Sequence, residues 1–63
     1  MPYIVYKAHT NTFDRKLPDW EAVMELIARK AQKFNYGIYR HWEEDGAHYF
    51  DCGPTVYKVV QEI

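Results

Sequence analysis

The chain has 63 residues, a net charge of −1 and a single cysteine, alongside six Tyr, three Phe and two Trp. That length supports one small domain, residues 1–63, which buries only ~60% of the surface its unfolded chain exposes. One cysteine excludes an internal disulfide framework and suits a reducing compartment, expected here to be the cytoplasm. No apolar run approaches ~18 residues and no charged start leads into an apolar segment, so neither a membrane span nor a cleaved secretion signal is expected.

The small net charge hides a gradient. Residues 1–40 carry seven Lys or Arg against four Asp or Glu, whereas residues 41–63 carry one Lys against five acids. Such a dipolar surface is either ordinary solvated charge or a device that orients a partner.

Tyr3 to His9 is rich in aromatic and β-branched residues and predicts a first strand. Lys7 shares a face with Tyr3 and Val5, which assigns Ile4, Tyr6 and Ala8 to the core side. Thr10 to Lys16 reads as a polar loop, with Phe13 folding back as a lid.

Pro18 to Phe34 predicts a helix. Trp20, Val23, Met24, Ile27, Ala31 and Phe34 recur at helical spacing within an arc of ~100°. Leu26 falls on the flank of that stripe and is expected to be partly exposed. Pro18 suits the first turn, and Asn35 and Gly37 suit the left-handed conformation that ends a helix.

Ile38 to Glu43 and Ala47 to Cys52 predict a hairpin around Asp45-Gly46. The register pairs Glu43 with His48, Trp42 with Tyr49, His41 with Phe50 and Arg40 with Asp51. Gly53-Pro54 makes the next turn, and Thr55 to Gln61 a last strand. The expected fold class is α+β: a small β-α-β-β-β domain, largely antiparallel, with one helix packed on one face.

Neither face of the hairpin is cleanly polar. A sheet with one helix should alternate apolar-in and polar-out on its open side, and where that fails the open face meets something. The preferred core is Ile4, Tyr6, Ile38, Trp42, Tyr49, Tyr57 and Val59 against the helix. It leaves Tyr3, Val5, Tyr39, His41, Phe50, Cys52, Val56 and Val60 outside. A one-residue slip would invert this and expose Trp42, Tyr49 and Tyr57 instead.

Several constellations bear on chemistry. His41, His48, Cys52 and Glu43 share a hairpin face and are ligand types, but their spacing matches no zinc signature, so no metal is expected. Cys52 with a histidine base would make a nucleophile. Asp51 beside it raises rather than lowers the thiol pKa, so no catalytic residue is assigned. Tyr3, Tyr39 and Phe50 would serve as stacking platforms for single-stranded nucleic acid, yet the nearby acids oppose phosphate binding. Arg29, Lys30 and Lys33 are explained as partners of the helix dipole.

Pro2 would be a terminal secondary amine if Met1 were removed. The chain then resembles the 4-oxalocrotonate tautomerase family in size, in that proline and in a strand-helix-strand opening. The resemblance implies Pro2 as general base, with Arg15 or Arg40 polarising the substrate. The family's arginine-containing turn and glycine-rich end have no counterpart here.

The function expected from these readings is a small protein-interaction module. It would be an inhibitor or regulator of a larger protein, of the kind viruses and mobile elements encode. It would use Tyr39, His41, Phe50, Val56, Glu43 and Lys58 on an aromatic sheet face. No cofactor is expected. The partner is a protein or a second copy of the chain, rather than a membrane or nucleic acid. A small tautomerase-like enzyme and a single-stranded nucleic-acid-binding module are the alternatives.

Overall fold

Five antiparallel strands and one helix make up the computed structural model, which describes residues 1–63. In chain order these are β1 (Tyr3–Lys7), β2 (Thr12–Leu17), α1 (Trp20–Asn35), β3 (Arg40–Glu44), β4 (Ala47–Asp51) and β5 (Val56–Gln61). The sheet order is β2-β1-β5-β4-β3. The class is α+β, with the helix on one face of the sheet. No helix is long and apolar enough to cross a membrane.

The structure adds one strand to the expected order. The segment read as a polar loop contains β2, which forms a hairpin with β1. Its sequence, TFDRKL, lacks a strand-like apolar run because it is an edge strand with little to bury. The register slips between Val5 and Tyr6: Val5 faces Arg15 while Tyr6 faces Phe13, so Asp14 is the extra residue of a bulge.

Asp19 caps the helix by accepting a 2.8 Å bond from the Ala22 N–H, and Pro18 therefore lies just outside it. At the other end Tyr36 and Gly37 take positive φ, and the Gly37 N–H donates to the Ala31 carbonyl at 3.0 Å. Asn35 stays helical and donates its side-chain N–H to the Ile38 carbonyl. Leu26, expected at the flank, is fully buried, whereas Phe34 is 38% exposed. The buried stripe is thus rotated toward Val23, Leu26 and Ile27 and away from the last turn.

The β3–β4 register is as expected, from Arg40 opposite Asp51 to Glu43 opposite His48. Asp45 and Gly46 both have positive φ, as the tight two-residue turn requires. The face assignment of β5 also stands, since Tyr57 and Val59 are buried.

β1 and the hairpin, however, face the opposite way. Val5, Phe50 and Cys52 are fully buried, and Tyr3 and Tyr39 pack against the same core. Ile4, Tyr6, Trp42 and Tyr49 lie on the helix-free side, and Ile38 is 65% exposed in the connection before β3. Lys7 misleads the reading of β1. It lies at the exposed end of the strand, so it shares a face with Val5 without entering the core.

Candidate functional site

Strand alternation and the observed register together assemble the helix-free face. Phe13 on β2 is opposite Tyr6 on β1, Tyr6 is opposite Lys58 on β5, Lys58 is opposite Tyr49 on β4, and Tyr49 is opposite Trp42 on β3. One transverse row therefore crosses all five strands, with four aromatic rings arranged around a central lysine. Directly opposite residues share a face, so the row is a consequence of pairing alone.

The rings on either side of the lysine are in contact in pairs. Tyr6 and Phe13 meet edge to face at 6.4 Å between ring centroids, and Trp42 stacks on Tyr49 at 5.5 Å. Phe13 is 59% exposed and Trp42 is 40% exposed, while Tyr6, Tyr49 and Lys58 are half-buried by their neighbours. Ile4 and Val60 pair beside the row, and Val56 flanks it on the other side.

The charges of this face balance. Lys16, Lys58 and Arg40 lie on it with Glu44 and Asp51, and Lys16 is held by Glu62 at 2.7 Å. Lys58 makes no salt bridge. The face is therefore apolar and aromatic with one unpaired ammonium at its centre.

Of the six residues expected to bind a partner, Val56 and Lys58 lie on this face. Tyr39, His41, Glu43 and Phe50 lie on the helix side. Phe50 is fully buried beneath stacked His41, with centroids 4.4 Å apart, so it is a core residue and not a docking anchor. His41 and Glu43 are exposed, because β3 is the outermost strand and solvent reaches its whole length. The residues missed as surface anchors are Phe13, Tyr6, Trp42 and Tyr49. The signal for the last two was present in the hairpin pairing, but pairing alone does not say which face the helix covers.

The chemical alternatives fare differently. Cys52 is fully buried, and burial followed by the Asp51 charge pushes its thiol pKa up, the opposite of what an attacking thiolate needs. No three His, Cys, Asp or Glu side chains converge as a ready metal cage. Of the three expected stacking platforms, Tyr3 lies against Trp20 at 5.4 Å, Tyr39 packs on the core and Phe50 is within it. The tautomerase likeness loses its strand-helix-strand opening, because β1 turns into β2 before the helix begins. A shallow cleft of about 440 Å³ lies between Asn35, Ile38, Tyr39, Arg40, Asp51 and Gly53. It holds no nucleophile paired with a base.

No protein-family model, no curated protein and no solved structure matches this chain.

Proposed function

We propose that this chain is a small protein-binding module, an inhibitor or regulator of the kind viruses and mobile elements encode, that docks its helix-free sheet face onto a larger protein in the cytoplasm. The observation that carries the reading is the row Phe13–Tyr6–Lys58–Tyr49–Trp42. Aromatic side chains give large contact area with few rotatable bonds, and they dominate interface hot spots. A lone ammonium among them selects a partner that offers a carboxylate or carbonyl acceptor at the centre of the contact.

Charge favours a protein over nucleic acid as the partner. Tight binding to a phosphate backbone needs several clustered cations. On this face three cations are offset by Glu44, Asp51 and Glu62, and one of the three is already paired. The free buried thiol of Cys52 fits a reducing compartment.

The test begins with the mass of the free chain in solution, which shows whether a second copy covers the face. The wild-type chain is then presented to native host extract beside Phe13→Lys and Trp42→Lys. Captured proteins are identified by mass spectrometry and titrated as purified partners. Both substitutions are at exposed positions, so the circular dichroism spectrum should not change. The expected result is a partner that binds the wild type and loses at least tenfold affinity for each variant. Equal affinity of all three chains would sink the proposal. So would tight, strongly salt-dependent binding of single-stranded nucleic acid.

A further inference from the structure

On the other side of the sheet, at the β3–β4 edge, two imidazoles face each other. His41 Nε2 and His48 Nδ1 are 3.1 Å apart. The pair is diagonal across the strands, since His41 is opposite Phe50 and His48 is opposite Glu43. We propose that His41 and His48 form a chelating site for a divalent transition metal such as Zn²⁺ or Cu²⁺.

Geometry carries the proposal. Imidazole nitrogens bind such ions at about 2.0–2.1 Å, so two ligands on one ion stand about 2.9 Å apart at a right angle and about 3.3 Å apart at the tetrahedral angle. The observed separation falls between these limits. Exposed histidines normally sample many orientations, but these two are held. His41 stacks on buried Phe50 at 4.4 Å with planes 13° apart, and His48 lies 4.7 Å from the Trp20 ring. The ordering that a chelate requires is therefore largely supplied by the fold.

The remaining positions go to water, since no third protein ligand converges on the pair, and Glu43 lies only beside it. Its carboxylate lies 3.8 Å from His48 Nδ1 on an exposed side chain, close enough to favour a cation electrostatically. In the free chain one of the two facing nitrogens carries the shared proton. On metal binding that ring changes tautomer, its proton moves to the outward nitrogen, and both facing lone pairs are donated to the ion. Cys52, considered with these residues on sequence grounds, is sealed in the core and takes no part.

The probes are Zn²⁺ alone, followed by calorimetry, and Cu²⁺ alone, followed by Trp20 fluorescence in a Trp42→Phe background. The wild type should take up one Zn²⁺ saturably, melt several degrees higher with it, and show Cu²⁺ quenching of Trp20. His41→Gln and His48→Gln should each lose at least tenfold in affinity, while His9→Gln, away from the pair, should bind as the wild type does. His41 is exposed, so His41→Gln decides the matter if the His48 variant fails to fold. No saturable uptake at millimolar metal, or undiminished uptake by His41→Gln, would overturn the site and leave the pair a hydrogen bond only.

Discussion

Trp42 and Tyr49 stack across β3 and β4 with planes 8° from parallel and centroids 5.5 Å apart. They are the outer end of the aromatic row, and β3 is otherwise exposed along its whole length. Cross-strand aromatic pairs add about 0.5–1.5 kcal/mol beyond the area they bury. A double-mutant cycle with Trp42→Ala and Tyr49→Ala should return a coupling of that size in urea titrations. A coupling near zero would mean that the rings are held by the sheet rather than by each other. Their stack would then contribute nothing to the order of the edge strand.

Phe50→Lys should unfold the chain. Phe50 is fully buried among Trp20, Tyr39 and His41. An ammonium placed there has no carboxylate beside it, and an unpaired buried charge costs more than a domain this small can supply. Phe50→Ala should cost about 3–5 kcal/mol through lost burial and the cavity left behind. Circular dichroism checks the first expectation and denaturant titration the second. A folded lysine variant would place Phe50 at the surface.

The hairpin was legible in the sequence because Asp45-Gly46 fixes both turn and register, and period-two alternation then fixes which residues share a face. Which of those faces the helix covers was not legible. Trp42 and Tyr49 are as apolar as His41 and Phe50, and the local pattern gives no reason to bury one pair over the other. The choice is made by β5, where Tyr57 and Val59 must be buried and the β4–β5 pairing sets Phe50 opposite Tyr57. That pairing joins strands across the Gly53-Pro54 turn, whose geometry the sequence leaves open. β2 was hidden for a different reason: an edge strand with a bulge needs no apolar run. The aromatic row depends on both pieces of missing information, because Phe13 joins it only once β2 is a strand.

The helix offers a direct check on where its buried stripe lies. Leu26 is fully buried, whereas Phe34 is partly exposed with Lys30 and Lys33 near its ring. Leu26→Ala should therefore cost about 2–5 kcal/mol. Phe34→Ala should cost clearly less, although the ring is larger, because much of it already meets water. Urea titration of the two variants side by side settles the ranking. The reverse order would restore the stripe that helical spacing alone suggests.

Stability should fall in alkali, and Cys52 should set where the fall begins. Burial first, and the Asp51 charge second, push the Cys52 thiol above its ordinary 9.0. Tyr57 is pushed above 10.0 by burial, then by Asp14 and Cys52, with Arg15 opposing. In each case the folded chain keeps a proton that the unfolded chain has already released. The unfolded state then binds fewer protons, so unfolding becomes easier as pH rises. The contribution of each group is full below its unfolded value and is lost as pH climbs through its folded value. Urea midpoints should thus hold below the ordinary thiol value and decline above it, more steeply once Tyr57 joins. Cys52→Ala lowers stability at every pH by removing a buried side chain, but it should delay the onset of the decline toward the Tyr57 range. An unchanged onset in Cys52→Ala would show that the thiol ionises equally in both states and that its burial beside Asp51 does not set the alkaline limit.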